Sequence, residues 1–258
     1  MRLAFLTNLT ATESLPVLQR LGELSDCPVV HVYLYNTLAE AKTSPWKALR
    51  EFGWRRLSSK LLSMMLSRVR TWLLKSPLKG IIQPRSAYEW VVARELPYSI
   101  VNNLNGLAER EHLAELRADL LVVCVCKNIL RRKTIETPRL GTMNVHPSLL
   151  PEYRGPMPVL WMLYHGESMA GVTFQKMITE IDAGPVIAQF QYEIPPNVTE
   201  SELSRSLFQL AASQLESVLR EFKNRDGQLP ISSRPGAGTY YSFPTAAERA
   251  ALMMRQRH

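Results

Sequence analysis

Short apolar runs alternate with helix-period stretches through the first half of this 258-residue chain, and that rhythm most restricts its fold. Arg2 to Leu6 reads as a buried strand, and Leu15 to Leu24 repeats its apolar residues at helical spacing. Pro28 to Tyr35 is β-branched and aromatic, and Ser99 to Asn102 supplies a third strand. Glu109 to Leu116 comes next as a helix, and Asp119 to Val125 is a strongly apolar strand. Strands joined through helices pair in parallel, because the crossover returns the chain in its original direction. The expected class is therefore α/β: a Rossmann-like, mostly parallel twisted sheet with helices on both faces. Gly141 to Val145, Gly171 to Met177 and Val186 to Tyr192 add three strands. Thr199-Glu-Ser-Glu opens a capped helix that runs to about Phe222. In open sheets of this kind ligands sit beyond the carboxyl ends of the strands, so the loop after each strand is where a site is sought.

The charge is concentrated. Lys and Arg number 31 against 23 Asp and Glu, a net charge of +8. Nine basic residues and one Glu lie between Lys47 and Lys79, which accounts for the whole excess. From Trp54 to Lys75, Leu57, Leu61, Met65, Val69 and Trp72 recur at helical spacing. Arg55, Arg56, Lys60, Arg68 and Arg70 fall largely elsewhere on the wheel, and Pro77 ends the pattern. Residues 45–80 are thus expected to form a basic amphipathic helical insertion after the second strand. Three tasks stay open for it. It packs on the domain with a solvated cationic face, or lies on an anionic membrane surface through residues 54–75, or meets an anionic ligand, nucleic acid not being favoured. The linker-like Ser232 to Thr239 divides a domain over 1–225 from a carboxyl-terminal extension over 226–258. Tyr240, Tyr241 and Phe243 in that extension suit a short packing strand or a homodimer contact.

No apolar run approaches the roughly 20 residues that cross a bilayer, and MRLAFLTNLT lacks the length and cleavage site of a signal peptide. Three cysteines give no disulfide framework. The expected location is cytoplasmic, with peripheral attachment to a membrane if the basic helix binds lipid. Cys124 and Cys126, two apart in an apolar run, would share one strand face as small core residues.

The chemistry concentrates in GTMNVHPSLLPEYRGPMPVLWML, residues 141 to 163. With a strand ending near Val145, Asn144 and His146 alternate onto one face at its carboxyl end. A carboxamide and an imidazole there are two donors converging on a small volume, as stabilising the oxyanion of an acyl-type transfer requires. Pro147 and Pro151 stiffen the next loop. Asp182, in ITEIDAGPVI, stands on a rigid turn between two strands. A carboxylate near the imidazole would favour the imidazolium and accept a proton from an attacking amine. Arg154, beside this strand, and His165, in LYHGES at a helix end, are weaker candidates for substrate contact. His31, His112 and His258 belong to no motif.

With HPSLLPEYRG, the upstream Asn144, and Asp182 lying 36 residues after His146, the chain resembles the folate-dependent formyltransferases. That family includes glycinamide ribonucleotide transformylase, methionyl-tRNA formyltransferase and the sugar-nucleotide N-formyltransferases. The resemblance implies transfer of a formyl group from 10-formyltetrahydrofolate, a co-substrate, to a primary amine of a small-molecule acceptor, with no metal. Asn144 and His146 resemble the pair that binds and polarises the formyl oxygen. Asp182 resembles the acid that positions His146 and relays the proton. Lys127, Asn128, Ile129 and Leu130 are similar to the loop whose backbone bonds the pterin ring, with Ile129, Leu130 and Ile135 lining its apolar slot. A cis peptide at Leu150-Pro151 is implied as well.

There are departures from the family pattern. Thr179 stands where many members are acidic. NLTATES lacks the glycine-rich loop that approaches a phosphate, which argues against glycinamide ribonucleotide as acceptor. The chain also ends short of the carboxyl-terminal barrel of the tRNA enzyme. An amino-sugar nucleotide or another small amine is the remaining expectation. The rival reading is a catalytically silent protein of the same fold that binds membrane or nucleic acid through its basic helix.

Overall fold

The computed structural model describes residues 1–37, 69–70, 72–74, 83–227 and 238–249. Among the described residues there are seven strands: β1 (Leu3–Asn8), β2 (Val29–Tyr35), β3 (Tyr98–Val101), β4 (Leu120–Cys124), β5 (Thr142–His146), β6 (Met169–Lys176) and β7 (Val186–Glu193). They form one sheet in the order β3-β2-β1-β4-β5-β6-β7. All pairs from β3 to β5 are parallel, and β6 and β7 are added antiparallel. This is the Rossmann-like α/β class that the strand-and-helix alternation implied.

Burial follows from position in the sheet. LAFLTN in β1 and LLVVC in β4 are buried throughout, as central parallel strands covered on both faces must be. The edge strand β7 is mostly half-buried or exposed. Leu3, Phe5, Val32, Leu34, Val122, Met143, Val145, Val172 and Phe174 fill one side of the sheet. Over them lie α1 (Leu15–Glu23) and α6 (Glu200–Asn224), the latter through Phe208, Ala211, Leu215, Val218, Leu219 and Phe222. Thr199 and Glu202 close a reciprocal capping box at the start of that 25-residue helix. The other side holds Ala4, Leu6, Tyr33, Leu121 and Val123. Beside them pack Leu113 of α3 (Leu107–Glu115) and Ile135 of α4 (Arg132–Ile135). Two further helices are α2 (Ala87–Ala93) and α5 (Pro158–His165).

Several expectations need correction. Helices α2 and α4 are too short to show a period in sequence. The first is specified instead by its cap, since Ser86 accepts from the Glu89 N–H. β4 stops at Cys124, and Val125 takes φ +51°, so the alternation breaks and Cys124 and Cys126 do not share a strand face. No disulfide joins the three cysteines.

The basic helix expected over 54–75 lies largely outside the described residues. Residues 69–70 and 72–74 are helical. Val69 and Trp72, on the apolar side of the expected helix, are exposed, while Leu74 is buried. Arg70, expected to be solvated, instead holds Glu89 through two contacts of 3.1 Å. The cause is the Glu89 carboxylate, buried on α2, where an unpaired charge would be costly. Among the described residues no helix is long and apolar enough to cross a membrane.

Candidate active site

The antiparallel register of β5 and β6 sets Asn144 opposite Gln175 and His146 opposite Thr173. Directly opposed residues project to the same face, so these four polar side chains gather on one side of the sheet. Met143, Val145, Val172 and Phe174, alternating with them, enter the core behind. A strand pair buried on both sides has thus given one face over to polar groups. That is tolerable only where each group finds a partner.

Thr173 Oγ1 donates to the Ser148 carbonyl at 2.6 Å and accepts from the Leu150 N–H at 3.1 Å. Gln189 Nε2 donates to the Leu150 carbonyl at 2.6 Å. These bonds from β6 and β7 fix the SLLP loop, in which Leu150-Pro151 is cis as the resemblance implied. The β6–β7 turn brings in Asp182, itself at φ +49°. Gly184 allows that turn, since a Cβ there would overlap the Lys176 carbonyl.

Asp182 is the centre of the cluster. Its Oδ1 accepts from Gln175 Nε2 at 3.0 Å and from Asn144 Nδ2 at 3.3 Å, and its Oδ2 accepts from the Gly155 N–H at 3.0 Å. His146 Nε2 lies 3.0 Å from the Tyr153 carbonyl. A carbonyl can only accept, so this nitrogen carries hydrogen and the tautomer is set. His146 Nδ1 faces Asp182 Oδ1 at 3.6 Å, beyond a hydrogen bond and therefore uncommitted. The second N–H of Asn144 Nδ2 also has no hydrogen-bond partner among the described residues.

Asn144, His146 and Asp182 thus meet as the sequence led one to expect. Gln175, Tyr153 and Gly155, which complete the geometry, were not anticipated. The one hint to Gln175 was a polar side chain on the Thr173 face of an otherwise apolar strand.

The other residues singled out in the sequence have varied surroundings. On the far side of Asn144, toward the start of β5, a cavity of about 610 Å³ opens. Ile135, Leu140, Met177 and Ile178 supply its apolar walls, with Thr179 and the cationic Arg132, Arg139 and Lys176 beside them. Leu130 is buried in the adjoining core, whereas Ile129 is 65% exposed and stands clear of it. The Lys127 N–H donates to Asn8 Oδ1, Asn128 Oδ1 accepts from the Leu104 N–H, and the Ile129 carbonyl accepts from Asn105 Nδ2. That loop is held mainly by asparagines. Arg154 turns its Nη1 to Glu180 at 3.1 Å. His165 ends α5 and joins an aromatic cluster with Tyr153, Trp161, Tyr164 and Tyr241. There the Tyr153 hydroxyl is pushed up by burial and by its 2.5 Å bond to Glu167. No group of three or more metal-ligating side chains occurs among the described residues.

Comparison with known proteins agrees with this arrangement. Residues 101–219 match the family described as formyl transferase. The methionyl-tRNA formyltransferase of Thermotoga maritima is 36% identical over 135 residues, which cover 52% of this chain and 43% of that one. The chain spans less than half the length of the curated relatives it matches. Glycinamide ribonucleotide transformylase 1 from Symbiobacterium toebii superposes with a TM-score of 0.61 at 19% identity, over 91% of this chain and 92% of that one. A sugar N-formyltransferase from Shewanella sp. FDAARGOS_354 gives 0.59 at 15% identity, over 98% and 86%. Residues 101–219, which carry β4 to β7 and the loop that closes on them, are thus similar to the formyl transferase family, and the solved structures share the fold of the whole sheet.

Proposed function

We propose that this protein transfers a formyl group from 10-formyltetrahydrofolate to a primary amine, with Asn144, His146 and Asp182 as the working residues. The observation that carries the reading is the convergence of Asn144, His146 and Gln175 on one carboxylate oxygen of Asp182. A cavity of about 610 Å³, within the range of pockets that take small molecules, opens toward the start of β5, lined by residues next in sequence to the cluster rather than by the cluster itself. Its walls combine the apolar Ile135, Leu140, Met177 and Ile178 with the charged Arg132, Glu136, Arg139 and Lys176, surfaces that a heterocycle with a polar tail could use.

In this mechanism the neutral amine of the acceptor attacks the formyl carbon, and the bond from that carbon to the folate nitrogen breaks. The uncommitted N–H of Asn144 and the Nδ1–H of protonated His146 hold the oxygen on which negative charge develops. His146 keeps its aim because its other nitrogen is bound to the Tyr153 carbonyl. Asp182 accepts the proton that the amine sheds, directly or through water, and the leaving nitrogen of tetrahydrofolate takes one up, so the exchange balances. No covalent enzyme intermediate is needed, because the donor is already an activated amide.

The acceptor we favour is a small amine such as an amino-sugar nucleotide, in keeping with the absence of a glycine-rich phosphate loop in NLTATES. Methionyl-tRNA is the second reading, favoured by the 36% identity to a methionyl-tRNA formyltransferase. The silent, membrane- or nucleic-acid-binding alternative is disfavoured, since it gives no reason for three polar side chains to be kept together at the end of β5. Its basic helix lies largely outside the described residues, and membrane attachment and a homodimer stay proposals on the sequence alone.

Calorimetric titration with a non-transferring folate analogue tests the donor, and micromolar binding is expected. No binding, together with tight binding to anionic vesicles or RNA, would support the silent reading instead. A panel of amino-sugar nucleotides, ornithine and methionyl-tRNA, scored by tetrahydrofolate release, then separates the acceptors.

A further inference from the structure

Two of the contacts that aim the cluster come from one short loop: the Tyr153 carbonyl, which accepts from His146, and the Gly155 N–H, which donates to Asp182. That loop is locally unfavourable. Tyr153 stands at φ +59° and Gly155 at +96°, and a tyrosine in the left-handed region persists only when its surroundings hold it there. The holding contacts come from a segment more than 80 residues further along the chain.

The Arg154 N–H donates to the Thr239 carbonyl at 2.9 Å and the Tyr241 N–H donates to the Arg154 carbonyl at 3.0 Å, an isolated parallel bridge. The Tyr153 N–H donates to Thr239 Oγ1 at 2.8 Å. Both edges of the contact are glycines with no room for a side chain. A Cβ on Gly155 would overlap the Tyr241 carbonyl, and one on Gly238 would overlap the Pro151 carbonyl. Tyr241 then stacks its ring between Tyr153, at 5.3 Å and 20°, and Trp161, at 5.0 Å and 26°. Trp161 Nε1 donates to the Ser242 carbonyl at 3.0 Å, which fixes the far end.

We propose that residues 239–242 are a positioning element of the active site, with Thr239 and Tyr241 acting through the 153–155 loop to set the tautomer of His146 and the placement of Asp182. The proposal rests on the catalytic reading given above. Neither residue reaches His146 or Asp182 directly; the effect is relayed by the Tyr153 carbonyl and the Gly155 N–H. The Thr239 side chain contributes a single acceptor, so its replacement loosens the loop without opening the core. Tyr241 contributes ring area outside the sheet.

The test uses the full chain with Thr239→Val, Thr239→Ser and Tyr241→Ala. With five histidines in the protein, the ring nitrogens of His146 can be assigned by ¹⁵N NMR through the loss of one signal set in His146→Ala. In Thr239→Val and Tyr241→Ala the His146 signals are expected to leave the Nε2–H pattern. Turnover of 10-formyltetrahydrofolate with hydroxylamine as a general amine acceptor should fall by about ten- to a hundredfold, since a catalytic group displaced by about 1 Å costs up to 10²-fold. KM for the donor should stay near wild type, and Thr239→Ser, which restores the acceptor oxygen, should recover both signals and turnover. Unchanged His146 signals and turnover in both variants would overturn the positioning role. Full turnover in His146→Ala would instead overturn the catalytic reading beneath it, so the two failures can be told apart.

Discussion

Two histidines stand on the same side of the same sheet and are almost equally buried, His146 at 5% exposure and His31 at 6%, yet only one has the surroundings of a reactive group. His31 on β2 bonds Ser99 Oγ at 3.0 Å and packs edge-on against the His112 ring, whose Nδ1 in turn meets the Tyr33 hydroxyl at 2.8 Å. Burial, and then the neighbouring His112, push His31 down to about 4, so it is a neutral core imidazole at physiological pH. His146 has a carboxylate at 3.6 Å, an uncommitted nitrogen beside it, and loops at positive φ on either side that bring donors in. Burial alone therefore does not mark a site. What distinguishes β5 from β2 is that side chains from two strands and two loops converge on one small volume.

The comparison is broken most sharply at the β5 end. Asn144→Ala and His146→Ala should each lower tetrahydrofolate release by about 10²–10³-fold, the cost of one lost oxyanion donor, and Asp182→Asn, which removes the proton acceptor, should lower it by about 10²–10⁴-fold. His31→Gln should leave it within about twofold. Near-normal rates in two of the three variants would remove the distinction. Next in size, Gly184→Ala forces a Cβ against the Lys176 carbonyl and displaces the turn that carries Asp182. A loss approaching about 10²-fold is expected, since small displacements of a catalytic group are costly. A circular dichroism spectrum like that of wild type would show that the sheet survives.

The third prediction concerns the β2 end and stability. The folded pKa of His31 lies at about 4, below the usual 6.5, so protons bind the unfolded chain more tightly. The contribution is fully present above pH 6.5 and is lost as pH falls toward 4, by roughly 1–3 kcal/mol. Urea unfolding between pH 7 and pH 4.5 should show this slope in the wild type and a flatter one in His31→Gln. An equal slope in both would mean that the burial of His31 is not what sets it. Smallest is Gln175→Leu, which removes the 3.0 Å donor to Asp182 and should cost about tenfold in kcat, the worth of one hydrogen bond of about 1.4 kcal/mol. Because Gln175 acts through Asp182, KM for the donor should hardly move.

The reach of each interaction along the chain decided whether the sequence disclosed it. The parallel sheet was readable because each strand declares itself over five or six residues, as LLVVC does in β4. Asn144, His146 and Asp182 were readable because strand alternation and a rigid Asp-Ala-Gly-Pro turn are local signals. Gln175 was not, because one glutamine in GVTFQK means nothing until the register sets it opposite Asn144. The reversal of Arg70 depends on a carboxylate 19 residues away on a helix too short to announce itself. Thr239 bonds a loop 86 residues earlier, a pairing that no periodicity encodes. The loop that resembles a pterin-binding one shows the same limit: Ile135 lines the cavity, while Ile129 does not.

The most direct measurement is a crystal structure of the protein with a stable 10-formyl folate analogue. The ring system is expected in the cavity lined by Ile135, Leu140 and Met177, with the formyl oxygen within hydrogen-bond reach of Asn144 Nδ2 and His146 Nδ1. An analogue bound elsewhere, or a formyl group more than one bridging water from Asn144, His146 and Asp182, would contradict this placement.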